Sequence, residues 1–438
     1  MRLQSPSFSI EFASKVSKLA WNLQVTSMIH EFSVTNFGCF NEEATVSFVV
    51  PLEEDDTRSF IAPSGQRLMK AIALVGPNGS GKSMLLEALD AVLWFLKGIN
   101  LISEEHGRLM PPHMFHKEEK TQIQLSFELS SGRVFKYILI VQSYRVVEEA
   151  LYEKNASSNR WNIRIKRTQI VTSDPQNVQY DINYYKCEGF HFDKRQYRPQ
   201  ANDQSSLFPE LIKAKETQPL LNELDSFFKL ARSNFSNRIV GRPAGSIMGY
   251  AYLAQQLLDS KKLLEVVSRY LRQLDVGIQG IEVEEVKLVV DGKEKKGPRI
   301  KTIHEYNGQR SELHLYEESQ GTRSTAHLIE LIALLLEYHG IGMIDELEEG
   351  LHPRVFDSVL NLFLDPEHNR ENAQFIFTTH RYQVLNRLGR YGVVFTEKED
   401  GVHSEAWRLD EISGVRKGTN LAEKYIAGAF GAVPKGAW

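Results

Sequence analysis

The chain has 438 residues, 42% of them apolar and 25% charged, which is enough material for more than one ordinary domain and a large buried core. Its net charge of −4 excludes a global pull toward nucleic acid or acidic membranes, so any such contact needs a local patch. Two cysteines, Cys39 and Cys187, exclude a disulfide framework or a cysteine zinc cluster and fit a reducing cytoplasm, which is the expected location.

Residues 1–27 lack the basic start and clean apolar run of a signal peptide. They read as an N-terminal extension outside the core fold, with Met28 a candidate natural start. Ile29 to Thr35 open the regular pattern, the first of two strands around a turn at Gly38–Asn41. A polar loop from Glu53 to Gln66 leads to a short apolar strand, Lys70 to Val75. A glycine-rich segment follows. Then Leu85, Leu86, Leu89, Val92, Leu93 and Leu96 mark an amphipathic helix.

From about 121 to 193 the period becomes two. Ile123, Leu125, Phe127 and Leu129 alternate with polar residues, as do Trp161, Ile163 and Ile165, which predicts an antiparallel meander with one wet face. Residues 205–275 turn helical, but no heptad seam persists, so no long coiled-coil arm is expected. Strands return at 281–290 and 299–316 around a basic turn, with a hairpin signal at Asn307–Gly308. From about 318 the pattern is helix, strand, helix, strand, a parallel α/β arrangement. Its apolar stretch from Leu328 to Ile344 is interrupted by Glu330, Glu337, His339 and Gly340 and is too short to span a bilayer. The expected division is a first lobe at 28–195, a helical insertion at 196–280 and a second lobe at 281–438.

Four motifs carry chemistry. Gly76-Pro77-Asn78-Gly79-Ser80-Gly81-Lys82-Ser83 fits G-x-x-x-x-G-K-S between a strand and a helix. Its glycines let backbone N–H groups curl around phosphate oxygens, with the positive end of the following helix behind them. Lys82 is expected to reach the outer phosphates and the Ser83 hydroxyl to ligate Mg²⁺. Gly342 to Glu346 ends an apolar strand in two carboxylates: Asp345 to hold Mg²⁺ and Glu346 to polarise the attacking water. Ser319, Gly321 and Thr322 form a small, hydroxyl-rich turn opening a helix at about 323–338, a candidate anion site or an ordinary helix cap. His380 ends the strand from Gln374 to Thr379, where a γ-phosphate sensor would lie.

In this order the four pieces resemble the ABC-type ATPases of the SMC and RecF group. Their Walker A, Walker B, signature and switch histidine are similar to 76–83, 343–346, the Ser319–Thr322 turn and His380. The start Phe32-Ser33-Val34-Thr35-Asn36-Phe37 also looks like the first strand of such heads. A closer resemblance is to compact ATPases of prokaryotic defence systems: abortive-infection proteins and the ATPase subunits of Septu, PARIS and some retrons. It rests on Ser-x-Gly-Thr, on Asp345-Glu346 followed by Gly350-Leu351-His352-Pro353, on Phe377 to His380 and on the tail from Tyr425 to Pro434. Two departures stand out. Gln320 and Thr322 replace the glycine and glutamine of the common signature, and no magnesium-sensing glutamine can be placed between the lobes.

The resemblance implies an α/β P-loop NTPase fold of ABC-ATPase type with an antiparallel β lobe and a short helical insertion. It implies ATP and Mg²⁺ as cofactors, and a homodimer in which each signature turn covers the ATP of the other head, with larger rings of such dimers also open. With no HNH-like Cys/His set and no room for a further nuclease domain expected, a toxic activity would sit on a separate effector, a nuclease or toxin. The favoured expectation is an ATPase switch or scaffold in phage defence. A DNA repair or maintenance ATPase and a nucleotide-regulated scaffold with negligible turnover remain alternatives. No membrane contact is expected. Nucleic acid stays open as a partner through Arg160, Arg164, Lys166 and Arg167, or through Lys293, Lys295, Lys296, Arg299 and Lys301, which otherwise read as solvated strand and hairpin faces.

Overall fold

The computed structural model describes residues 27–103, 107–170, 178–192, 202–213, 215–234, 247–274, 277–290, 293–349, 351–416 and 418–434. The expected extension at 1–27, apart from Ser27, and Gly350 of the 350–353 motif therefore lie outside the described residues.

Two sheets organise the chain. The first has seven strands, all paired antiparallel. Met28–Thr35 lies between Ala44–Ser47 and Thr121–Glu128, and the sheet continues through Val134–Gln142, Arg145–Lys154, Trp161–Ile170 and Gln179–Tyr184. Burial alternates along Thr121–Glu128 and Val134–Gln142, as the period-two pattern demands. This is the expected meander.

The second sheet has six strands. Ala231–Ser233, Ile341–Ile344, Gln374–Thr379, Ala71–Val75 and Val393–Lys398 run parallel, and Ser404–Arg408 closes the far edge antiparallel. One strand thus separates the P-loop strand from the strand Ile341–Ile344, which ends just before Asp345. Ala231–Ser233 comes from the segment expected to be a helical insertion, yet it joins this sheet beside Ile341–Ile344. The expected α/β P-loop fold with an antiparallel lobe is what the chain adopts.

The P-loop strand is buried on both faces, and its alternation divides the core. Ile72 and Leu74 face a cluster shared with the antiparallel sheet and the helix Lys82–Leu96. Ala71, Ala73 and Val75 face a second cluster with the helices Gln320–Tyr338 and Pro353–Leu364. Gln374 clips the sheets together: its carboxamide accepts from the N–H of Ile29 at 2.6 Å and donates to the carbonyl of Ile29 at 2.9 Å. The tail returns over the second cluster, with Tyr425 stacked on Phe395 at 5.4 Å and its hydroxyl donating to the Ala432 carbonyl.

Two basic features differ from expectation. Arg167 is fully buried and paired with Glu149, while Arg164 pairs with Glu153 and Lys166 with Glu148. Arg167 shares the buried face with Ile165 and would be stranded there without Glu149, while Arg164 and Lys166 are half-buried, and the adjoining strand Arg145–Lys154 supplies all three anions. The expected basic turn at 293–301 is instead part of one long strand, Lys293–Tyr306, between Gly280–Val290 and Gln309–His314. Lys296 faces Glu285, and Lys301 faces Glu284 and Glu312, so cross-strand charge pairs extend the hairpin. No helix among the described residues is long and apolar enough to cross a membrane.

Candidate functional site

The Lys82–Leu96 helix begins at Gly81, whose φ of 107° is open to glycine and strained for any other residue. A Cβ there would also meet the Phe40 ring at 2.7 Å. Gly76 is required by contact rather than by dihedral: a Cβ would lie 2.2 Å from the Thr396 carbonyl oxygen. The loop is pinned at that point, because Ser80 and Thr396 share a hydrogen bond of 2.6 Å through their hydroxyls. Asn78 and Gly79 stay exposed and Pro77 is half-buried, so the outer rim of the loop faces solvent.

Lys82 is buried and donates to the carbonyls of Gly76 at 2.9 Å and Pro77 at 2.8 Å. Burial lowers its pKa, opposed by the charges of Asp345, Glu348 and Glu346. The ammonium is thus held inside its own loop by neutral carbonyls. Phosphate oxygens are the stronger partner for that charge.

At the end of Ile341–Ile344 the carboxylates separate. Asp345 is buried; its Oδ1 accepts from Ser83 Oγ at 2.8 Å and from Thr378 Oγ1 at 2.7 Å. Glu346 is exposed and sits at φ 51°, a left-handed backbone that costs a non-glycine residue free energy. Its N–H donates to the same Thr378 hydroxyl at 2.7 Å. Ser83, Asp345, Thr378 and Glu346 therefore form one hydrogen-bonded line from the start of the P-loop helix across two neighbouring strand ends. The Ser83 hydroxyl and the Asp345 carboxylate are hard oxygen donors side by side, the donor chemistry Mg²⁺ takes.

His380 is exposed, and its N–H donates to Glu348 Oε1 at 2.6 Å, which ties the end of the Gln374–Thr379 strand to the turn after Glu346. The expected signature residues lie apart from this line. Ser319 caps the Gln320–Tyr338 helix, accepting from the Thr322 N–H at 3.1 Å and sharing a 2.9 Å hydrogen bond with the Thr322 hydroxyl. The Gly321 carbonyl accepts from Thr325 Oγ1. The turn is exposed at Ser319 and its recorded hydrogen bonds stay within its own first turns. Glu318, just before it, is held by Thr302 Oγ1 at 2.5 Å and His304 Nε2 at 2.7 Å, which links the turn to the three-stranded sheet.

Sequence reasoning missed three residues of the site. Thr378 bridges the two carboxylate residues, and Glu348 anchors His380. Asn234, just after the edge strand Ala231–Ser233, donates to the Asp345 carbonyl at 2.8 Å and accepts from its N–H at 2.9 Å. A lone asparagine after a three-residue strand carries no signal of its own, and only the strand's place beside Ile341–Ile344 reveals it.

A family model described as "AAA domain, putative AbiEii toxin, Type IV TA system" matches residues 71–386. No curated protein sequence matches the chain. Among solved structures, the SMC head domain from Thermotoga maritima aligns at 15% identity with a TM-score of 0.40, covering 87% of this chain and 98% of that one. The Smc head domain with a coiled coil and joint from Pyrococcus yayanosii aligns at 12% identity and 0.43, covering 92% and 100%. The recombination mediator protein RecF aligns at 12% identity and 0.37, covering 87% and 98%. The family match spans well over half of the chain and includes the P-loop, the Ser319–Thr322 turn, Asp345–Glu346 and His380, and the chain belongs to this AAA-domain family.

Proposed function

We propose that the protein is an ATP-binding and ATP-hydrolysing switch of ABC type, with two heads closing over two ATP molecules. The observation that carries this reading is the line from Ser83 through Asp345 and Thr378 to Glu346, beside a lysine already directed into the P-loop. In it, backbone N–H groups of 76–83 and Lys82 bind the phosphates. Ser83 and Asp345 are the residues that would hold Mg²⁺, which when bound offsets phosphate charge. Glu346, on its strained turn, orients and polarises the attacking water. His380 lies at the strand end nearest that turn and is suited to contact the terminal phosphate. Asn234 fixes the backbone of Asp345 through both ends of its carboxamide.

Ser319, Gly321 and Thr322 have no place in the line formed within one head. An exposed, hydroxyl-rich helix start is suited to the triphosphate of a second copy, which supports a homodimer closed through the ATP sites. The link from Glu318 to the three-stranded sheet gives closure a mechanical route to a partner seated there.

Within a cell the switch would control a separate effector, a nuclease or toxin, in phage defence. The family description, which names a type IV TA system, supports this direction. The DNA-maintenance alternative draws little from the strand at 161–170, whose Arg164, Lys166 and Arg167 are matched by acidic partners. The direct test is phosphate release by the wild type and by Glu346→Gln. The reading requires turnover in the first and ATP binding without turnover in the second; equal release by both removes Glu346 from the chemistry.

A further inference from the structure

We propose that His113, His116 and His403 form a binding site for one divalent transition ion of the zinc class, which ties the two sheets together beside the P-loop. The three imidazoles bring one nitrogen each to within 4.8 Å of one another. They come from distant chain segments. His113 and His116 lie on the loop that leads into the antiparallel strand Thr121–Glu128, and His403 lies on the turn between the last two strands of the other sheet.

The hydrogen bonds to carboxylates leave Nε2 of His116 and of His403 for a ligand. His116 Nδ1 is held by Glu119 Oε1 at 2.6 Å, and His403 Nδ1 by Asp400 Oδ2 at 2.6 Å. Both pairs have the carboxylate–histidine form that fixes ring orientation and raises ligand basicity in metal sites. His113 Nδ1 accepts from the Phe115 N–H at 3.4 Å. With Nδ1 accepting, the ring proton sits on the buried Nε2, so ligation through Nε2 requires the long Phe115 contact to give way and the proton to move to Nδ1.

The second sphere is built as well. Asn36 Oδ1 accepts from the His113 N–H at 3.0 Å, and its Nδ2 donates to the His116 carbonyl at 3.0 Å, so one side chain shapes the loop carrying both histidines. Asp400 Oδ1 also accepts from the N–H groups of Val402 at 2.9 Å and His403 at 2.8 Å, which fixes the carboxylate behind the ring it orients.

Three imidazoles and no thiolate favour zinc and its first-row neighbours over Mg²⁺ or Ca²⁺, which take oxygen. Nitrogen–zinc bonds of about 2.0–2.1 Å set tetrahedral ligands roughly 3.4 Å apart, so the rings must close somewhat, with a fourth position left for water. His116 and His403 are only half-buried and have room to move. The site adjoins the nucleotide loop through Cys39: its carbonyl accepts from the Ser404 N–H at 2.9 Å, and its sulfur would lie 2.9 Å from a Cβ on Gly81. An ion there would stiffen the junction between the lobes at the point where the P-loop rests.

The test uses the untagged full chain, stripped by chelator and kept free of nucleotide. Zn²⁺ is added, metal content is measured after desalting, and thermal midpoints are recorded with Zn²⁺ and with Mg²⁺. The expected result is one zinc per chain, with a midpoint raised by Zn²⁺ and not by Mg²⁺. The double variant His116→Gln, His403→Gln loses the bound ion and the shift, Asp400→Asn weakens binding by about tenfold, and His191→Gln, at an exposed position elsewhere, leaves it unchanged. Substoichiometric zinc without a thermal shift, or undiminished binding in the folded double variant, overturns the proposal. Every readout is independent of ATP, so failure here leaves the ATPase reading standing.

Discussion

Asn234 and Asp345 grip each other through both faces of one peptide position: the asparagine amide donates to the Asp345 carbonyl at 2.8 Å, and its oxygen accepts from the Asp345 N–H at 2.9 Å. The carboxylate that would hold Mg²⁺ is thereby fixed from a strand 111 residues away. Replacing Asn234 with alanine leaves two half-buried backbone groups unpaired, at a cost of about 1–3 kcal/mol. The expected phenotype is a raised Mg²⁺ requirement for phosphate release with near-normal ATP affinity, and Mg²⁺ titration at saturating ATP reads it. An unchanged magnesium profile would remove Asn234 from the site.

Lys82→Ala removes the only side-chain cation of the P-loop. Nucleotide affinity should fall at least tenfold in equilibrium binding, with the thermal midpoint of the apo protein little changed. Lys82 satisfies only two loop carbonyls in the apo protein, so the fold does not depend on it.

Thr378→Val keeps the shape of the strand end but deletes the hydroxyl shared by Asp345 and the Glu346 N–H. The left-handed Glu346 then loses its anchor. Turnover should drop by one to two orders of magnitude, about 1.4–2.7 kcal/mol in the barrier, while ATP still binds. Single-turnover hydrolysis separates that outcome from a binding defect.

Glu330 sets a pH dependence. It lies buried on the helix Gln320–Tyr338, and burial raises its carboxyl to about 7, with Arg232 opposing. Since the folded pKa exceeds the unfolded one, the folded state holds the extra proton between them. The stabilising contribution is full below about 4.5 and is lost as pH rises through about 7. Glu330→Gln should therefore raise the thermal midpoint at pH 8 and change it little near pH 4.5. The upper bound is about 3 kcal/mol for a fully buried group shifted this far. Equal shifts at both pH values would contradict the assignment.

What was legible in the sequence was local. The 76–83 loop announces itself because strand, glycines and helix are contiguous, and Asp345–Glu346 because an apolar strand ends in two charges. The period-two stretch at 121–170 is legible because one sheet face is wet. What escaped was made by pairing across distance. Asn234 acquires its place from a neighbouring strand, and Gln374 clips to Ile29 across 345 residues. His113 and His403 stack at 4.8 Å only after two sheets meet, so nothing in their spacing along the chain marks them as neighbours. The basic run at 293–301 read as a turn because its acidic partners, Glu284, Glu285 and Glu312, lie on the two flanking strands.

The central claim is that a complete ATP site takes its P-loop from one head and its Ser319 turn from another, and mixing two inactive variants tests it most directly. Lys82→Ala lacks a working P-loop; Ser319→Arg blocks the turn but keeps Lys82. Each alone should be inactive, whereas the mixed dimer pairs an intact P-loop with an intact turn. Phosphate release well above the sum of the separate variants is the predicted result. A mixture no more active than its parts, with both variants folded and mixed dimers verified, would contradict the account.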